Sequence, residues 1–299
     1  MYEGNIRKEG YWEMTNPSSL ADNYTLKNGL KIPCVGFGTW QTPDGEVAER
    51  SVSEAIRAGY RHIDTAAAYG NEESVGKGIA KSGVSREDLF ITTKLWNTER
   101  GYQETIDAFD VFLKKLGIEY LDLYLIHWPA PAPFRDVWRQ KNAESWKAME
   151  DLYLQGKVRA IGISNFLPHH IDELIKTAVI MPMVNQIRLH PACQQRYLVE
   201  YSRRYGMLLE AYSPLGTGKM LSNPLIVQIA EQYGKSPAQI CLRWNLQKGF
   251  LPMPKSVTEQ RIRENAEIFD FELNCKDMQD LDTLDGAITY SDHPDMVAF

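Results

Sequence analysis

Eight short apolar runs, separated by helix-forming stretches, constrain the fold of this chain more than any other feature. They are 35–38 (VGFG), 60–65 (YRHIDT), 89–93 (LFITT), 121–126 (LDLYLI), 158–163 (VRAIGI), 183–186 (MVNQ), 207–212 (MLLEAY) and 251–254 (LPMP). Between them, 47–58, 103–116, 143–154, 170–178 and 237–247 carry helical spacing of apolar residues. Strand alternating with helix throughout predicts parallel βα units, and eight such units close a barrel. A doubly wound sheet would carry GxGxxG after its first strand, but Gly36-Phe37-Gly38-Thr39-Trp40-Gln41 breaks that pattern at the last position. The eighth run is the weakest strand, because Pro252 and Pro254 have no N–H for the ladder.

Asn28-Gly29, between Tyr24-Thr25-Leu26 and Leu30-Lys31-Ile32, predicts a hairpin with a two-residue turn that plugs the bottom of the barrel. An extra helix is expected over 221–234, after the seventh strand, and another at the C-terminus. The expected fold is therefore α/β: a (β/α)8 TIM barrel with an N-terminal hairpin, as one domain over 24–299 after an extension over 1–23. In that extension Tyr2, Tyr11 and Trp12 are read as aromatics packed on the surface.

With 299 residues, 43% of them hydrophobic, the chain can bury a full core. A net charge of -6 gives none of the basic footprint that nucleic-acid binding needs. The cysteines at 34, 193, 241 and 275 lack CxxC spacing and suit reduced thiols in the cytoplasm. No apolar run approaches the roughly 18 residues of a membrane span, and 1–23 has no apolar core of a signal peptide. A small molecule is the expected partner of a monomer or, alternatively, a dimer.

Chemistry-bearing side chains end three consecutive strands. The second run delivers Asp64, with Tyr69 one loop further on; the third leads into Lys94 and the fourth into His127. In a barrel these ends share one face, where active sites are built. A lone Tyr or His is usually structural, and the joint placement is the stronger evidence. A phenol titrates near pH 10, so its use near neutral pH calls for a neighbouring cation. Lys94 supplies one, Asp64 holds Lys94, and His127 can hydrogen-bond a substrate oxygen. The set can protonate a carbonyl oxygen as hydride reaches its carbon. A barrel isomerase or aldolase with Lys94 as Schiff base, and a cofactor-binding sensor, remain as alternatives.

Other motifs read blandly. The stretch 70–77 resembles a phosphate-binding loop but has the wrong glycine spacing and Gly78 where Ser or Thr is required; 216–219 (GTGK) fails similarly. His169 and His170 follow Pro168 at a helix start and are expected on the surface, and no metal site is expected. Lys255 and Arg261 follow the eighth run, where barrel phosphate sites are common. The proline-rich stretch 129–133 directly after a strand reads as an active-site loop rather than a linker.

The motifs GFGTW (36–40), GYRHIDTAAAYGNEESVG (59–76), TTKLW (92–96), DLYLIHWP (122–129), GKVRAIGISNF (156–166), NQIRLHP (185–191), AYSPLG (211–216) and PKSVTEQRIREN (254–265) occur in this order. Together they closely resemble the aldo-keto reductases over about 24–284, and most resemble the bacterial branch that includes 2,5-diketogluconate reductases. That resemblance implies the eight-fold barrel and a catalytic tetrad of Asp64, Tyr69, Lys94 and His127, with Tyr69 as general acid. It implies NADPH as cofactor, with Tyr212 under the nicotinamide and Ser164, Asn165 and Gln186 on its carboxamide. Ser213, Leu215 and Gly216 would line the pyrophosphate, and Gly38, Thr39 and Asp64 would also bind the cofactor. Lys255, Ser256 and Arg261 would grip the 2'-phosphate, with Glu264 and Asn265 near the adenosine. Trp40, Trp96 and Trp128 would form the substrate pocket, and the activity would be reduction of aldehydes and ketones, α-dicarbonyl or keto-sugar types included. His rather than Glu at 127 implies carbonyl rather than alkene reduction.

Overall fold

The computed structural model describes residues 17–299. Tyr2, Tyr11 and Trp12 and most of the expected extension lie outside the described residues. Its last residues are fastened to the barrel: Asp22 accepts from Ser18 N at 2.7 Å and Ser19 N at 3.1 Å, and its carbonyl accepts from Cys34 N at 2.9 Å.

The chain then forms an antiparallel hairpin of β1 (Asn23–Thr25) and β2 (Lys31–Pro33). Its turn differs from the two-residue form expected from Asn28-Gly29. Gly29 N donates to Leu26 O and Leu26 N to Leu30 O, with Gly29 at φ +83°. This is a three-residue loop with glycine in the left-handed region, the bulged alternative that an Asn-Gly pair also serves. The hairpin lies across the bottom of the barrel, where Leu26 and Ile32 join Leu123, Leu125, Val184, Leu208 and Leu251 in an interior apolar cluster.

Eight parallel strands follow: β3 (Gly36–Gly38), β4 (His62–Asp64), β5 (Phe90–Leu95), β6 (Leu121–Ile126), β7 (Val158–Ser164), β8 (Val184–Arg188), β9 (Leu208–Tyr212) and β10 (Leu251–Pro252). Each pairs with the next in sequence. The barrel closes where Gly38 N donates to Pro254 O at 3.0 Å. The prolines of the last strand are tolerated because of their register. Met253 N donates to Ala211 O on β9, so the missing N–H groups of Pro252 and Pro254 face β3, where Pro254 contributes its carbonyl.

Around the strands run α1 (Glu46–Arg57), α2 (Glu72–Ser82), α3 (Tyr102–Leu116), α4 (Trp138–Leu154), α5 (Pro168–Ile175), α6 (Arg196–Arg204), α7 (Pro224–Tyr233), α8 (Pro237–Gln247), α9 (Glu259–Glu264) and α10 (Cys275–Asp282). The extra helix after the seventh barrel strand is α7, capped by Asn223 and ended by Gly234 at φ +62°. A capping box of Ser236 and Gln239, with Pro237 at the first turn, starts α8. The stretch that imitated a phosphate loop lies largely in α2. A Cβ at Gly76 would run into the Leu116 carbonyl, and one at Gly78 would come within 2.7 Å of Glu49 O. Gly76 and Gly78 thus let α1, α2 and α3 pack closely.

Candidate active site

The strand ends converge as expected. Lys94, fully buried on β5, places Nζ 2.6 Å from Asp64 Oδ1, 3.0 Å from Thr65 O and 3.2 Å from Tyr69 Oη. Tyr69 reaches it from a single 3-10 turn, Ala67–Tyr69, on the loop after β4. His127 follows β6, with its ring centroid 6.0 Å from that of Tyr69. Lys94 therefore spends its three hydrogens on an acid, a carbonyl and the phenol.

This electrostatic balance resolves the state of each group. Burial alone would discharge Lys94, but Asp64 and then Tyr69 reverse that, and its ammonium is held above its ordinary range. Burial also raises the Tyr69 phenol, against the opposing pull of Lys94. The phenol thus rests protonated, with a cation ready to receive the charge when the proton leaves. Burial, assisted by Lys94 and Arg100, holds the His127 imidazole well below its usual range, so it is neutral.

Asp64, Tyr69, His127, Ser164, Asn165, Gln186 and Tyr212 all line one cavity of about 890 Å³, large for a single small-molecule pocket. Its outer wall carries Trp40, Trp96 and Trp128. Trp96 lies 5.2 Å from His127 between ring centroids. The Tyr212 hydroxyl donates to Asn165 Oδ1 at 2.8 Å, and Asn165 Nδ2 donates to His127 O and Ser164 Oγ. A cofactor carboxamide received by Asn165 would have to displace one of these bonds.

The rest of the cavity wall includes Gly38, the register partner of Asp64, together with Ser213, Leu215, Lys255, Ser256, Arg261, Glu264 and Asn265. Among the described residues no carboxylate pairs with Lys255 or Arg261, whereas Arg263 in the same helix is paired with Glu259 at 2.8 Å. Partial burial lowers the Lys255 ammonium, as expected of a cation with no partner. Two unpaired cations on a concave wall fit a phosphate. Thr39 and Gly216 are off this wall. The Thr39 hydroxyl is turned onto Asp64 O at 3.1 Å, and Gly216 is buried against Met220 and His190.

Some lining residues carried no signal in the sequence. Phe299 stacks on Trp96, centroids 5.7 Å apart and planes 15° apart, and stands edge-on to Trp128. Arg188 lies over Tyr290 at 3.8 Å and Tyr212 at 5.4 Å and pairs with Asp292. Except for Arg188 over Tyr212, these contacts join residues more than a hundred positions apart, and no local pattern encodes them. The proline-rich loop 129–133, expected at the active site, does not itself line the cavity; it touches a residue that does, with Ala132 N donating to Phe299 O.

The pair His169 and His170 corrects an expectation: His169 is exposed, but His170 is fully buried. Its Nδ1 accepts from Leu167 N at 3.1 Å to cap α5. Nε2 must then carry the proton, and it faces Asp295 Oδ1 at 2.7 Å. The His169, His170 and Asp295 cluster is thus a clasp on the C-terminal segment. Cys34, Cys193, Cys241 and Cys275 are free thiols. No helix among the described residues is long and apolar enough to cross a membrane.

Residues 34–285 match the Aldo/keto reductase family. The chain is 50% identical over 283 residues to a glyoxal reductase of Bacillus subtilis, covering 95% of this chain and 100% of that protein. Among solved structures, it resembles a Bombyx mori aldo-keto reductase in complex with NADP, with TM-score 0.81 and 37% identity over 90% of this chain and 94% of the other. It also resembles a mutant of Gox0644 in complex with NADPH, with TM-score 0.85 and 39% identity over 93% and 99%.

Proposed function

The chain belongs to the aldo/keto reductase family of NADP-dependent oxidoreductases, and on that premise we propose that Tyr69 is the proton donor when it reduces aldehydes and ketones to alcohols. The observation that carries this reading is the position of Lys94 Nζ between Asp64 Oδ1 and Tyr69 Oη beneath the cavity.

NADPH supplies a hydride when bound; the chain's own residues manage the oxygen. His127, neutral and on the cavity wall, hydrogen-bonds the carbonyl oxygen and orients its carbon. Tyr69 passes its phenolic proton to that oxygen as negative charge develops there. The phenolate left behind is stabilised by Lys94, which Asp64 keeps charged. Lys94 is too well paired and too buried to serve as a Schiff-base nucleophile.

Ser164, Asn165 and Gln186 are assigned to the nicotinamide carboxamide, Tyr212 to its ring, and Lys255, Ser256 and Arg261 to the 2'-phosphate. Trp40, Trp96 and Trp128 form the substrate mouth. The likeness to a glyoxal reductase supports α-dicarbonyl substrates, with keto sugars as the related class. NADPH consumption against a panel of glyoxals, keto sugars and aromatic aldehydes, with the alcohol identified by mass spectrometry, tests this. Tight NADPH binding with no turnover on any carbonyl would instead make the protein a cofactor sensor.

A further inference from the structure

Glu210 is a second acid inside the barrel that the proposed mechanism does not use. It is fully buried on β9 and lies off the cavity wall. Gln186, which does line the cavity, donates through Nε2 to Asp64 Oδ2 at 2.9 Å and to Glu210 Oε2 at 2.8 Å. An amide nitrogen has two hydrogens, so one goes to each acid and none is left for the cavity. Gln186 can therefore offer the cavity only its carbonyl oxygen. A third neighbour of the nitrogen, Met253 Sδ at 3.9 Å, is too weak an acceptor to hold the amide that way round.

The surroundings also define the state of Glu210. Lys94, the buried ammonium of this layer, is committed to Asp64 at 2.6 Å. Glu210 Oε1 has no partner, and an unpaired carboxylate is costly to bury. Burial first, and Asp64 second, push the Glu210 carboxyl up to about 8, which leaves it neutral at neutral pH. A second carboxylate there would also compete with Asp64 for Lys94.

We propose that Glu210 is a positioning residue for the nicotinamide site. As a neutral acid it shares the Gln186 amide hydrogens with Asp64 and so presents Gln186 Oε1 to the NH2 of the cofactor carboxamide. The inference rests on the assignment of that carboxamide to Ser164, Asn165 and Gln186.

The test compares binding of NADP+ with binding of 2',5'-ADP, which has the 2'-phosphate but no nicotinamide, on the full chain. Glu210→Leu should weaken NADP+ about tenfold, the scale of one hydrogen bond, and leave 2',5'-ADP within about twofold. Glu210→Gln, an isostere of the neutral acid, should bind both ligands within about twofold of wild type, since the acceptor is kept. The infrared difference between wild type and Glu210→Gln at neutral pH should contain the C=O stretch of a protonated carboxylic acid. Glu210→Leu binding NADP+ like wild type, equal loss of both ligands, or no acid band would each overturn the proposal. Gln186→Leu separates the causes. If it too leaves NADP+ unaffected, the carboxamide assignment has failed; if it weakens NADP+ where Glu210→Leu does not, only the role of Glu210 has failed.

Discussion

Two groups of cations serve the same cavity, and they are built in opposite ways. Lys94 is sealed in the barrel and has every hydrogen spent on protein partners. Lys255 and Arg261 stand on the cavity wall at the other end, and among the described residues no carboxylate pairs with either. The difference fits the roles proposed for each. A group that stabilises charge developing during a reaction has to be oriented before the substrate arrives, because reorientation during the step would raise the barrier. A group that binds a ligand's permanent charge gains most when the ligand is its only partner, since an internal carboxylate would have to be displaced first. On the proposed assignment, paired and buried marks the chemical end, and unpaired marks the phosphate end.

The contrast can be broken most forcefully at Lys94. Lys94→Met should lower kcat by about a thousandfold, within the range for loss of general acid catalysis. It should also leave Asp64 as a buried unpaired acid and cost about 3–5 kcal/mol of stability, read from denaturant unfolding. A stable variant with near-normal kcat would mean that pairing at this end is incidental.

The pH dependence of stability comes next. The folded state raises the Glu210 carboxyl from an ordinary value near 4.5 to about 8. Folded protein therefore keeps a proton that unfolded protein releases, so this contribution is complete below about pH 4.5 and fades as pH rises towards about 8, by an amount on the order of a few kcal/mol. Unfolding free energies of wild type should fall through this window relative to those of Glu210→Gln. Parallel curves would show that Glu210 is not held neutral.

At the open end, Arg261→Ala should weaken NADPH by about 10–100-fold, the scale of charge-assisted hydrogen bonds worth about 1.5–3 kcal/mol. NADH, which lacks the 2'-phosphate, should lose no more than about twofold, and the salt dependence of NADPH binding should flatten. Equal loss of both cofactors would place Arg261 elsewhere. The smallest effect belongs to Arg263, on the same helix but paired with Glu259. Arg263→Ala should change stability by no more than about 1 kcal/mol and NADPH affinity by less than about twofold. A loss matching that of Arg261→Ala would remove the distinction between paired and unpaired cations.

Much of the chemical end was legible in the sequence, because barrel strands are short, apolar and punctuated, and their C-terminal ends are where polar side chains interrupt them. Asp64, Lys94 and His127 follow that rule, and Tyr69 lies one turn beyond it. Less legible were features settled by tertiary contact. The glycines of α2 look like loop residues until Leu116 and Glu49 are seen against them. His170 has a surface residue's composition but the place of a buried cap. Strand β9 is buried on both faces, so no alternation sets Glu210 apart from its apolar neighbours. The aromatic rim formed by Phe299, and the pairing of Arg188 with Asp292, depend on a tail that crosses the barrel mouth with no periodic pattern of its own.

Tyr69→Phe tests the central assignment most directly, because it removes one oxygen and leaves the ring in place. Cofactor affinity and single-turnover hydride transfer should be measured on the same preparation, with a carbonyl substrate that wild type reduces. The account predicts NADPH binding within about twofold of wild type and kcat lowered at least about a hundredfold, with little rise in KM, as expected when an interaction made chiefly in the transition state is lost. A near-normal kcat would contradict it and take the proton-donor role away from Tyr69.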